Sequence, residues 1–203
     1  MAVEQAPRNA RVARETRETR IEIELALDGS GETSVRTGIG MFDHLLEQIG
    51  KHGLFDLRVK AEGDLEVDPH HTVEDTGIAL GRAFAEALGD RAGIARMADR
   101  TVPLDEALAS VAVDISGRGY AVCEAGWSGP AIGELPSDLI PHFLDAFARE
   151  AGMGIYARVL AGAIDHHKAE ALFKALGRAL GDATRVEPRL RGKAASTKGT
   201  LEA

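Results

Sequence analysis

FDHLLEQIGKHGLFDLRVKAEGDLEVDPHHTVEDTGIALGRAFAEALGD, residues 42–90, and IPHFLDAFAREAGMGIYARVLAGAIDHHKAEALFKALGRALGD, residues 140–182, are two versions of one stretch. His44 falls on His142, 98 positions on, while His70, His71 and Glu74 fall on His166, His167 and Glu170, 96 positions on. A small indel in the loop before each His pair accounts for the difference. Both copies close on nearly the same string, ALGRAFAEALGD or ALGRALGD. The chain is therefore a duplication of a unit of about 90 residues, not a solenoid.

Each copy has the same local grammar. Phe42, Leu45, Leu46 and Ile49 recur at a helical period, which predicts a helix over Phe42–Lys51 closed by Gly53. Leu54–Ala61 alternates apolar and polar and predicts a strand. Asp68-Pro69 marks the start of a long helix over His70–Leu88. The matching pieces of the second copy are 138–151, 153–161 and 166–181. Upstream, Arg20–Leu27 alternates, and Asp28-Gly29-Ser30-Gly31 signals a hairpin turn with Glu32–Thr37 as the returning strand. Ala107–Ile115 and Tyr120–Ala125 play those parts around Ser116–Gly119. Each half reads strand, strand, helix, strand, helix, with room for another short strand. This is an α+β fold with helices on one face of each sheet. The expected organisation is a flexible arm over 1–14, repeats over 15–92 and 93–190, and a mobile tail over 191–203.

The 203 residues carry 24 Lys+Arg against 32 Asp+Glu, a net charge of −8, so a polyanion such as nucleic acid is not an expected partner. A hydrophobic share of 44% and a charged share of 28% read as ordinary globular. No apolar run is long enough to span a membrane and no signal-peptide core follows Met1, so a cytoplasmic protein is expected. Cys123 is the only cysteine, which excludes an intrachain disulfide and fits a reducing compartment.

The seven histidines are the unusual feature. Residues four apart share a helix face, so His70 with Glu74, and His166 with Glu170, can each hold one ion between them. His71 and His167 sit about 100° further round and face a different ion. With His44 and His142 the set is six His and two Glu. It divides evenly into two sites of three His and one Glu, each leaving two open positions on a six-coordinate metal. Imidazole suits Zn, Fe, Ni and Cu, carboxylate favours Mn or Mg, and spacing alone does not choose. His52 has no counterpart and reads as peripheral. HExxH, a Walker loop, GxGxxG and GxSxG are all missing. Arg96, Arg118 in its Ser-Gly-Arg-Gly turn, and Ser196 with Lys198 in the tail are candidates for holding a phosphate.

The strings FDHLLEQIGKHGLFDL, HHTVEDTGIALG, VPLDEAL, DISGRGY, PHF, IDHHKAEALFKALGRAL and STKG, in this order, resemble the imidazoleglycerol-phosphate dehydratase family from about Arg14 to Leu201. The resemblance implies a duplicated β-β-β-α-β-α unit of the ribosomal protein S5 domain 2-like type. It implies a manganese-dependent hydro-lyase of histidine biosynthesis, with two Mn2+ per active site. It also implies a homo-oligomer, a 24-mer with active sites at subunit interfaces. The substrate would be imidazole glycerol phosphate and the product imidazole acetol phosphate. One ion would be held by His71, His142, His166 and Glu170, the other by His44, His70, Glu74 and His167. Glu18, Gln48, Arg96, Arg118, Ser196 and Lys198 match substrate-contacting positions, and Glu18, Glu74 and Glu170 are the catalytic carboxylates. Three stretches depart from the family pattern. Gly40-Met41-Phe42 stands for Pro-Phe-Leu, Gly119 for the proline of Arg-Pro-Tyr, and Ala195 for the proline before Ser-x-Lys-Gly.

The reaction itself sets a requirement. The hydrogen to be lost is on a carbinol carbon with no adjacent carbonyl, so the imidazole ring must act as electron reservoir. Two metals at its two nitrogens would stabilise an imidazolate, which can expel the neighbouring hydroxyl and leave an acidic C–H for a carboxylate to remove. Glu18 is the candidate for the proton transfers, with Asp105 and Glu106 as rivals.

Overall fold

The protein was analysed as a computed structural model, which describes residues 7–201. The first half runs β1 (Asn9–Glu15), β2 (Thr19–Ala26), β3 (Thr33–Arg36), α1 (Gly40–Gly53), β4 (Asp56–Gly63) and α2 (His70–Leu88). The second runs β5 (Met97–Leu104), β6 (Ala107–Asp114), β7 (Tyr120–Glu124), a two-residue pair β8 (Ala131–Ile132) and β9 (Leu135–Pro136), α3 (Leu139–Ala151), β10 (Gly154–Ala161) and α4 (Asp165–Thr184). Apart from the small pair, the halves repeat β-β-β-α-β-α.

Each half forms a four-stranded sheet, in the orders β1-β2-β4-β3 and β5-β6-β10-β7. On β2 the side chains of Ile21, Ile23 and Leu25 are buried, in register with Ala61, Val59 and Leu57 of β4. This is the period-two pattern of a sheet with one covered face. Hydrophobic side chains drive both helices of a half onto that face.

Two expectations about strands change. Glu32–Thr37 is not a hairpin partner of β2, because β4 enters between them and pairs parallel with β3. The Asp28–Gly31 turn is real, but strand order is decided by what returns after the helix. The hairpin lies one step earlier: Asn9–Glu15 pairs with β2. The arm expected over 1–14 is therefore a paired edge strand from Asn9, and its first six residues lie outside those described. The left-handed residue closing α1 is Leu54, at φ 60°, rather than Gly53. Gly53 is the last helical residue, and glycine is needed there because a Cβ would meet the Phe55 ring at 2.4 Å.

The two helical layers face each other. Gly81 and Gly177, equivalent in the repeat, mark the crossings. A Cβ on Gly81 would lie 2.7 Å from the carbonyl oxygen of Phe147 in α3, and one on Gly177 would lie 2.8 Å from those of Gln48 and Ile49 in α1. Gly77 lies against Phe143, and Gly181 against Gly53. Hence α2 runs parallel with α3, and α4 with α1. All six phenylalanines are buried between the sheets. Edge contacts join Phe42 to Phe143 at 5.3 Å and Phe84 to Phe147 at 5.3 Å. The Phe42–Phe143 contact brings the start of α1 to the start of α3, so all four helices begin at one end of the molecule. The tail is tied down by Arg96, which donates to the Ala195 carbonyl at 2.7 Å, and by Leu201, whose side chain is buried. No helix among the described residues is long and apolar enough to cross a membrane.

Candidate metal centres and active site

All eight ligand-type residues lie in the first two turns of the four helices, at their common end. His44 Nε2 is 3.1 Å from Glu170 Oε2, and His166 Nε2 is 3.3 Å from the same oxygen. The two imidazoles are stacked at 5.7 Å, and the three donor atoms lie within 4.8 Å of one another. His44 Nε2 is buried without a hydrogen bond of acceptable geometry, an orphan that a cation would satisfy. Two imidazoles and a carboxylate converging on one point fit a divalent first-row metal.

The repeat places a looser group at the equivalent position, in which three donors do not converge as they do at Glu170. His70 Nε2 is 3.7 Å from Glu74 Oε2, and the His70 ring is 5.2 Å from that of His142. Within one chain the neighbours are set by which helices pack together. His44, not His142, stands with His166 and Glu170, because α1 packs on α4. His142 stands with His70, because α3 packs on α2.

His71 and His167 point away from both clusters. Asp64 holds His71 Nδ1 at 3.1 Å, and Glu106 holds His167 Nδ1 at 2.7 Å. Hydrogen bonding to Asp64 raises the His71 pKa above the ordinary histidine value, and Glu106 does the same for His167. The Glu106 carboxyl is driven down to about 2, by His167 first and then by the backbone N–H of Ile164. For Glu170, burial opposes ionisation, but Lys174 at 2.8 Å and His44 overcome it and leave the carboxyl at about 2. Both glutamates are carboxylates at neutral pH, as ligands or hydrogen-bond acceptors must be.

The phosphate candidates lie at the other end. Arg96 N donates to the carbonyl of Ala183, in the last turn of α4, while its guanidinium pairs with Asp114 at 2.7 Å. From His166 to Ala183 the helix rises about 25 Å. Gly117, beside Arg118, donates to Gly152 at the end of α3. Ser196 accepts from the Lys198 backbone N–H at 3.1 Å, next to the carbonyl held by Arg96. Arg96, Arg118, Ser196 and Lys198 thus share one end of the chain and the metal-type ligands the other. Gln48 sits on the metal side, donating to the His44 carbonyl at 3.2 Å. Glu18 lies in the β1–β2 turn, where its carbonyl accepts from Asp64 N at 3.1 Å. That places it beside His71, and its side chain makes no hydrogen bond or ion pair among the described residues.

A family model described as imidazoleglycerol-phosphate dehydratase matches residues 37–180, a span that contains both clusters. The chain belongs to the imidazoleglycerol-phosphate dehydratase family. Dehydratases of that name from Dehalococcoides mccartyi and Halobacterium salinarum are each 54% identical to it, over 96% of this chain and 98% of their own length. The solved dehydratase of Staphylococcus aureus superposes with a TM-score of 0.79 at 31% identity, covering 88% of this chain and 99% of that one. That of Pyrococcus furiosus gives 0.81 at 33% identity, covering 93% and 99%.

Two departures from the dehydratase pattern have local explanations. A Cβ at Gly119 would lie 2.3 Å from Arg149 Cα, so here the Arg118 turn packs on α3 more closely than a proline allows. At Gly40-Met41, Glu134 from the β8–β9 turn caps α1 by accepting from Met41 N at 3.0 Å. Sequence reading missed Asp64, Lys174 and the Asp165–Lys168 pair. Lys168 is buried and bonds Asp165, Ser128 and the Gly126 carbonyl, pinning the loop before β8 to the start of α4. The signal for Lys174 was available: it stands four residues after Glu170, on its face.

Proposed function

We propose that this chain removes water from imidazole glycerol phosphate, giving imidazole acetol phosphate in histidine biosynthesis, with two Mn2+ per active site. The observation that carries this reading is the His44–His166–Glu170 cluster, with His142, His70 and Glu74 at the equivalent place in the repeat. The substrate's imidazole has two nitrogens, and the chain offers two matching positions. Bound manganese would act as a Lewis acid at those nitrogens, letting the ring take up the electrons of the bonds that break.

The chain's own residues supply the rest. Glu18 is the proton-transfer group, because its carboxylate is uncommitted beside His71. Glu106 is a poor rival, since its two oxygens already accept from Ala163 N, Ile164 N and His167 Nδ1. Asp105 is mostly exposed and lies 3.6 Å from His167 Nε2. Arg96, Arg118, Ser196 and Lys198 bind the phosphate and so orient the ring. A chain with metal ligands at one end and phosphate ligands at the other cannot serve one substrate by itself. This supports a homo-oligomer, up to the 24-mer, in which one copy's phosphate end meets another's metal end. The single Cys123 fits a cytoplasmic enzyme.

The test is turnover of imidazole glycerol phosphate by chelator-stripped protein before and after Mn(II) is added. Formation of imidazole acetol phosphate only with Mn(II) is the expected result. Release of inorganic phosphate instead would overturn the lyase reading. Co-assembling His71→Ala chains with Lys198→Ala chains should restore part of the activity lost at substrate concentrations below the raised KM, and failure to do so would sink the shared site.

A further inference from the structure

In the two clusters the carboxylates face the Nε2 side of the imidazoles: Glu170 faces His44 and His166, and Glu74 faces His70. At His71 and His167 the hydrogen-bonded carboxylate stands on the Nδ1 side, and the exposed Asp105 lies only at 3.6 Å from His167 Nε2. Asp64 lies 3.1 and 3.2 Å from His71 Nδ1 through its two oxygens, and Glu106 Oε2 lies 2.7 Å from His167 Nδ1. A carboxylate only accepts, so each of these Nδ1 atoms carries the proton. In the neutral ring the lone pair is then on Nε2.

We propose that Asp64 and Glu106 are positioning residues that set the tautomer of His71 and His167, so that each presents an Nε2 lone pair to an ion outside its own chain's three-donor cluster. The proposal rests on the metal reading above and says which atom of each lone histidine is the donor, and why. The supports come from different places. Asp64 follows β4, whereas Glu106 sits in the β5–β6 turn, so the repeat did not copy one residue into both roles.

Their surroundings differ in a way that makes the idea sharp. Glu106 Oε1 accepts from Ala163 N at 3.2 Å and Ile164 N at 2.9 Å. In Glu106→Gln the amide oxygen must stay on those two donors, so the NH2 turns to His167 Nδ1. That group donates, which forces the proton onto Nε2 and removes the lone pair without changing the shape of the site. The Asp64 carboxylate has no hydrogen-bond donor other than His71 among the described residues. In Asp64→Asn the amide can rotate its oxygen to Nδ1–H and keep the tautomer.

The experiment uses the chelator-stripped full chain and its Glu106→Gln, Asp64→Asn and Asp64→Ala variants. Solid-state 15N spectra of histidine-labelled protein at about pH 9, where imidazoles are neutral, report which nitrogen is protonated, and His71→Gln and His167→Gln samples assign the signals. Mn(II) titration by calorimetry reports affinity, and thermal unfolding of the stripped proteins controls for the fold. Wild type should show Nδ1–H at both residues. Glu106→Gln should move His167 to Nε2–H and weaken Mn(II) binding about 10–100-fold. Asp64→Ala should weaken it to a similar degree. Asp64→Asn should change it by less than about 3-fold, since a neutral hydrogen bond remains. An Nε2–H signal for His167 in wild type, or wild-type Mn(II) affinity in Glu106→Gln, overturns the proposal. Wild-type protein that binds no Mn(II) overturns the metal reading and the donation with it, while the spectra still decide the tautomers.

Discussion

The two halves of the chain keep the same inner face and differ on the outer one. Inside, Gly81 and Gly177 make equivalent close crossings, and His44 and His142 stand at equivalent places, beside His166 and His70. Outside, the first sheet carries a lattice of ion pairs: Arg11 and Arg58 meet Glu24 at 3.6 and 3.8 Å, and Lys60 meets Glu62 at 2.9 Å. The second sheet has an exposed pair too, Arg158 with Glu124 at 2.8 Å, but adds Tyr120 and Tyr156, edge to face at 5.4 Å. Packing and ligand geometry tolerate little change, because a misplaced atom there meets backbone or loses a donor. Solvated ion pairs and exposed rings contribute little to stability and are free to differ.

The strongest way to break this picture is to remove one member of each cluster. His44→Ala and His142→Ala should each cost more than about 100-fold in turnover, beyond what an outer-sphere partner costs. Each should also lower the bound manganese by half, read by elemental analysis after gel filtration. A His44→Ala protein with full metal content would show that the grouping with His166 and Glu170 is wrong. Next in size is the phosphate end. Lys198→Ala should raise KM about 10–100-fold, the scale of one charge-assisted hydrogen bond, while metal content stays intact. An unchanged KM removes Lys198 from the phosphate site.

The inner symmetry is sharpened by Gly81→Ala and Gly177→Ala. Each places a methyl against backbone carbonyls and should cost about 1–3 kcal/mol in chemical denaturation. If only one is destabilising, the two crossings are not equivalent. The smallest effect concerns a feature of the first half alone. Asp56 accepts from Ser30 N and Glu32 N at 2.8 and 3.0 Å, and these bonds hold its carboxyl below the usual 3.8. A depressed folded pKa adds stability above the unfolded value that is lost as pH falls through the folded one. Asp56→Asn should therefore flatten the acid limb of the unfolding curve below about pH 4, and a limb as steep as wild type would show that Asp56 contributes nothing there.

Much of this molecule was legible beforehand because duplication writes the same message twice. The long helix His70–Leu88 stands where its periodicity placed it. The eight metal-type ligands were legible because helical spacing joins His70 to Glu74 and His166 to Glu170. Strand order was not, since inserting β4 between β2 and β3 depends on where the chain returns after α1. The N-terminal edge strand was missed because its apolar positions are few: only Val12 on β1 is buried.

By itself the sequence determined the repeat, the element types and the residue types of the site, since these follow from local periodicity and from the chemistry of each side chain. Only the tertiary structure decided which histidines share a point. That depends on α1 packing on α4 and α2 on α3, contacts between residues as far apart in the chain as Ile49 and Gly177 or Gly81 and Phe147. It also decided that Asp64 and Glu106 stand behind His71 and His167, and that the phosphate candidates lie a helix length from the metal-type residues. No local spacing rule reaches across that distance, because side-chain neighbours beyond one helical turn are chosen by packing and not by sequence separation.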